Sequence, residues 1–186
     1  HNAYAAYTCF MLMFATGYRA VYNPLPSLSL SLRSYRLLGI SDKDDSDFTH
    51  ARLVCMPTIL AKQLEYYAAH LAMLTEILRY RDPLLSTQID QILTVDETIL
   101  GLGFSDSSEW YQTIRNSRRV LGPLFHFRPM NRQWQAINLF PKALSSYLPD
   151  DLILPSNAGR HWMKSQLIRR QVEPEFIDWQ MGHWMT

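Results

Sequence analysis

From Thr58 onward the apolar residues Leu60, Leu64, Tyr67, Leu71, Leu74 and Leu78 recur in alternating steps of four and three. That spacing keeps them on one face of an α-helix. A stripe this long obliges the rest of the chain to supply a layer against it, because large apolar surfaces are rarely left in water. The pattern stops near Arg81-Asp-Pro83, where proline disfavours helical geometry in the residue before it.

The neighbouring segments carry apolar patterns of their own. Residues 3–16 form an apolar run that ends at Thr16-Gly17, a place for a helix-terminating turn. The run is too short to span a bilayer and lacks the basic flank of a signal peptide, so a core helix is expected. Asn23-Pro-Leu-Pro26 then bars a helix. Residues 28–32 alternate at period two, and residues 34–40 and 52–56 are rich in strand formers around a polar turn at 41–47. They predict a small antiparallel sheet of two or three strands.

Further helices are expected over residues 86–100, then from an Asp106-x-x-Glu109 capping box to about residue 119. Residues 131–147 are also expected to be helical, with a restart near Pro141. Residues 157–170 and 174–181 make the last two helices, Pro174 suiting a first helical position. The fold class is mainly α with a small antiparallel β-sheet (α+β), in one domain of 186 residues.

Composition removes several classes. At 47% hydrophobic and 12% aromatic the chain is globular rather than disordered. Net charge is +1, less than dedicated nucleic-acid binders carry, although Arg115, Arg118, Arg119, Arg128 and Arg132 cluster locally. Cys9 and Cys55 sit among apolar residues, as buried thiols of a reducing, cytoplasmic protein. The histidines have no metal-ligand spacing, so no structural metal is expected, and with no apolar run long enough to span a bilayer no membrane role is expected either.

Two short motifs carry the functional reading. Asn157-Ala-Gly-Arg160-His161 is followed by Met181-Gly-His183. The pair resembles the second half of the catalytic signature of the tyrosine recombinases, the phage-integrase family. The separation of Arg160 from His183 agrees with the family pattern, and Leu167, Ile168, Ile177 and Met181 fall where its helices pack. Ala15-Thr-Gly-Tyr-Arg19 resembles the family's first box, with Arg19 as its arginine. Ile40-Ser-Asp-Lys43 and residues 51–57 resemble the hairpin that carries its lysine. The likeness covers the chain apart from residues 80–122, which resemble a helical insertion.

The resemblance implies site-specific DNA recombination and integration on double-stranded DNA, through a 3′-phosphotyrosine intermediate and without a cofactor. Arg19 and Arg160 would clamp the phosphate, since guanidinium is always charged and donates in a planar fork. Lys43 would be the general acid and His183 a further phosphate donor. His161 would pack structurally, and Trp162 and Trp184 would lie in the core. Taken singly, each has a structural reading: Arg19 as a helix C-terminal charge, Lys43 as a solvated residue, Arg160 with His183 as a buried polar pair. Their joint order carries the resemblance.

Two departures accompany it. Asn157 stands where the family has histidine; asparagine can hydrogen-bond there but cannot take a proton near neutral pH. The nucleophilic tyrosine is expected beyond Thr186, making the chain a piece of a longer protein that also lacks the family's N-terminal core-binding domain. Family members assemble as tetramers on DNA. A catalytically inactive DNA-binding or regulatory relative is the alternative, and a helical protein-interaction domain is another.

Overall fold

Asn2–Thr16 forms α1, and its residues Ala5, Ala6, Cys9, Leu12 and Met13 are buried in the core shared with the long helix that the periodicity predicts. In this computed structural model residues 1–19, 37–40, 52–93, 121–131, 133–139 and 141–183 are described. The long helix, α2, runs Thr58–Arg79 and fully buries Leu60, Leu64, Tyr67 and Leu71. Burying a phenol requires a partner for its hydroxyl. Tyr67 donates to the Pro123 carbonyl at 2.9 Å. Full burial pushes the Cys9 thiol up to about 12, so it is an inert packing group.

A tight turn leads into α3, Pro83–Leu93. The Leu85 amide donates to the Asp82 carboxylate at 3.1 Å, a cap with proline following it at the first helical position. Ser86 then donates to the Thr75 carbonyl at 3.0 Å and ties α3 to α2. Strands β1 (Leu37–Ile40) and β2 (Arg52–Cys55) pair antiparallel, Leu37 opposite Cys55 and Ile40 opposite Arg52. Strands β3 (Phe125–Met130) and β4 (Gln133–Asn138) form a second antiparallel pair, Phe125 opposite Asn138 and Met130 opposite Gln133. The Asn2 side chain receives the Phe127 amide at 2.7 Å and donates to the Phe127 carbonyl at 2.9 Å, fastening the start of α1 to β3.

The chain then continues through α4 (Pro141–Leu144), a 3-10 turn at Ser145–Tyr147, α5 (Ala158–Arg169) and α6 (Pro174–Met181). Mainly helical with small antiparallel sheets is therefore the architecture. Two expectations are corrected. Residues 131–147 are not one helix: β4 occupies their first half, and Asn131 turns the chain with φ 51, a left-handed conformation that asparagine tolerates. The described strands also form two separate two-stranded sheets rather than one. The expected strand at 28–32, the turn at 41–47, the helix at 106–119 and the end of the 86–100 helix lie outside the described residues. So do Arg115, Arg118, Arg119, Arg132 and Trp184.

Candidate phosphate-clamp site

Two helix ends meet at the predicted residues. α1 stops at Gly17, whose φ of 72 permits its amide to return to the Met13 carbonyl at 3.1 Å. Thr16 reinforces the stop: its hydroxyl donates to Leu12 O at 2.7 Å and accepts the Tyr18 amide at 3.2 Å. α6 stops at Gly182, φ 66, in a Schellman turn. The Gly182 amide donates to Trp179 O at 3.0 Å and the His183 amide to Asp178 O at 2.8 Å. Arg19 and His183 thus leave helix ends of fixed geometry.

α5 brings Arg160 between them. Gly159 lets the α5 backbone touch α1 at Met13 and Phe14. A methyl built on Gly17 would lie 3.3 Å from Met181 Cε and 3.7 Å from Arg160 Cα, so the end of α1 sits against both. Arg160 Nη2 donates to the Met181 carbonyl and to His183 Nε2, the latter at 3.1 Å. Arg19 Nε and Arg160 Nη1 are buried.

Arginine can only donate, so His183 Nε2 accepts, leaving a neutral ring with its proton on Nδ1. The electrostatics agree. Burial first, then the positive charges of Arg160 and Lys164, hold His183 below its ordinary value, opposed by Asp178. Asp178 Oδ1 is 3.7 Å from His183 Nδ1, too long for a hydrogen bond, and acts through charge. An NMR titration of the His183 ring is expected to give a midpoint below 6.5; a midpoint at or above that value would contradict the accepted bond.

Burial lowers His70 and His126 as well, with the positive charge of Arg128 adding to it at His126. The unfolded chain therefore binds more protons than the folded one below its histidine value of 6.5. Stability is complete above that value and is lost as pH falls through the lower folded values. Melting is thus expected at a lower temperature near about pH 5.5 than near about pH 7.5. An unchanged or rising melting temperature on acidification would contradict it.

Other residues fall differently. Asn157 caps α5 without a side-chain cap bond, and its amide instead meets His161 Nε2 at 2.9 Å. That corrects the packing role expected for His161, which is exposed. Trp162 is not core either: it is 50% exposed and meets Phe14 edge-on at 5.7 Å. Ile168 is likewise exposed, whereas Ile177 and Met181 are buried as expected. Cys55 is half-buried rather than buried. Lys43 lies outside the described residues. Strand β2, which follows it in sequence, is anchored beside the site, because the Cys55 amide donates to Gln180 Oε1 at 2.9 Å.

Gln180 lies outside the motifs that mark the other candidate residues. Its signal was a glutamine on the inward face of α6, three residues after Ile177 and next to Met181. A separate cleft of about 1140 Å³ is lined by His1, Arg81, Gln88, Trp134 and Gln135 among others and contains none of the candidate residues. It adjoins the start of α1, roughly 20 Å along the helix from Gly17.

Comparison with known protein families, with curated proteins and with solved structures gave no match. Among the described residues no three histidine, cysteine, aspartate or glutamate side chains are grouped to hold a metal ion. No described helix is long and apolar enough to cross a membrane.

Proposed function

We propose that the chain is the catalytic domain of a tyrosine-type site-specific recombinase that cleaves and rejoins DNA. One observation supports this above the rest: Arg160 and His183, distant in sequence, meet at 3.1 Å with the end of α1 packed beside them. The first predicted arginine, Arg19, follows that helix end by three residues.

In this reading a tyrosine hydroxyl gives its proton to solvent and forms the new phosphorus–oxygen bond, and the bond from phosphorus to the 5′-oxygen breaks. Arg19 and Arg160 hold the non-bridging oxygens with fixed donors, which act chiefly on the charge that develops in the transition state. Lys43 gives its proton to the departing oxygen. A bound phosphate draws Arg160 away from His183 Nε2, and its negative charge raises the His183 pKa. The ring then protonates and becomes a donor to the same phosphate. Asn157 assists through hydrogen bonding. The phosphodiester energy is kept in the phosphotyrosine link, so rejoining needs no nucleotide. The reading requires a nucleophilic tyrosine beyond Thr186 in the full-length protein, with double-stranded DNA as partner and a tetramer as the working assembly.

A non-cleaving DNA-binding relative is the second reading. Asn157 favours it, because its amide is engaged with His161 and cannot act as a base. Covalent trapping separates the two. The full-length protein is incubated with a nicked suicide duplex carrying its own recombination site. A protease-sensitive DNA–protein adduct, lost when the downstream tyrosine becomes phenylalanine, is the expected result. Binding that weakens with salt but leaves no adduct would replace cleavage by the non-cleaving reading.

A further inference from the structure

We infer that Gln180 is a positioning residue that sets the three parts of the phosphate clamp relative to one another. The inference rests on the strand-cleavage reading above. Gln180 is fully buried. Its Oε1 accepts the Cys55 amide at 2.9 Å, and its Nε2 donates to the Thr16 carbonyl at 3.4 Å, with Met163 Sδ 4.0 Å away.

Each contact belongs to a different arm of the site. Thr16 is the last residue of α1, three before Arg19. Cys55 ends β2, the returning strand of the hairpin on whose connection Lys43 lies. Met163 is on α5, three residues after Arg160. Gln180 itself is three residues before His183. A helix-terminal carbonyl and a strand amide both need partners once buried. A primary amide presents an acceptor and donors on one rigid plane, so a single side chain satisfies both. Glutamate would keep the acceptor and lose the donor; methionine would keep much of the volume and lose both bonds. Gln180 thus couples the α1 end to the hairpin through α6. Arg19, Arg160 and His183 depend on its amide although it touches none of the reacting atoms.

The test uses the full-length protein, a nicked suicide duplex of its own site, and the variants Gln180→Met and Gln180→Glu. Three quantities are read: single-turnover adduct rate, DNA affinity, and exchange of the Cys55 amide with deuterium. In Q180M the adduct rate is expected to fall about 10- to 100-fold, since misplacement by about 1 Å suffices for such a loss. DNA affinity should stay within about twofold, because distributed backbone contacts dominate it. The Cys55 amide should exchange faster in Q180M and stay protected in Q180E, whose carboxylate still accepts it. Q180E should nevertheless cleave slowly, having lost the bond to Thr16. If Q180M does not fold, Q180E is judged alone on the slow cleavage with Cys55 protected. Wild-type adduct rates in a folded variant would overturn the positioning role and leave the recombinase reading standing. Absence of any adduct from the unmutated protein on its own site would instead overturn the recombinase reading, and this role with it.

Discussion

Arg160→Lys in the full-length protein is expected to lower the single-turnover rate of covalent adduct formation by about 10²- to 10³-fold, with the fold retained. The reason lies in geometry rather than charge. Arg160 sits at the start of α5 with its Cα beside Gly17, and one of its nitrogens already serves both the Met181 carbonyl and His183 Nε2. A lysine keeps the positive charge but offers a single tetrahedral ammonium in place of the planar fork. It cannot hold a phosphate oxygen and the end of α6 together. One lost prepositioned donor corresponds to roughly 2.7–4 kcal/mol of transition-state stabilisation. DNA affinity should change far less, because a single contact is a small part of a distributed phosphate interface. Circular dichroism and melting temperature serve as the controls for folding. An Arg160→Lys variant that cleaves within about threefold of the parent would remove Arg160 from the clamp.

The parts of the fold that were legible share one property: their signals are local. Leu60, Leu64, Tyr67 and Leu71 face inward because their spacing repeats with the helix, whatever lies opposite them. Gly17, Pro174 and Gly182 announce helix ends through backbone geometry that few other residues adopt. The β3–β4 hairpin was missed for the complementary reason. Gln133, Gln135 and Asn138 are poor strand formers, and Trp134 and Ile137 stand three apart as on a helix face. What makes them a strand is pairing with Phe125–Met130, a partner segment that itself carries Pro129. Within the candidate site, Arg19, Arg160 and His183 were singled out by the order and spacing of motifs that resemble a family signature, not by any one local signal. Gln180 was not, since its partners Cys55 and Thr16 lie 125 and 164 residues away and no periodicity links them.

Gly159→Ala is expected to destabilise the domain by about 2 kcal/mol, the net of a helix-propensity gain and a larger steric loss. In an exposed helix the same change would stabilise by roughly 1 kcal/mol, because alanine loses less backbone freedom than glycine. Here the added methyl would lie 2.3 Å from the Met13 carbonyl oxygen, 2.5 Å from its carbon and 2.9 Å from the Phe14 nitrogen. These are backbone atoms inside α1, so no side-chain rotation relieves the contact. Relief requires α5 and α1 to separate, which would open the Phe14–Trp162 contact and draw Arg160 away from Gly17. Gly17→Ala makes a useful contrast. Its nearest neighbour is the flexible Met181 methyl at 3.3 Å, so the cost there is mainly the left-handed backbone, about 1–2 kcal/mol. Urea unfolding should show the Gly159 variant with a lower midpoint and an unchanged slope, the mark of a native-state loss. The full-length variant should also lose strand cleavage, because this close approach helps α5 hold Arg160 against the end of α1. Stability within about 0.5 kcal/mol of the parent would mean that α1 and α5 do not touch at Gly159, and the convergence of Arg160 with the Arg19 arm would fall with that contact.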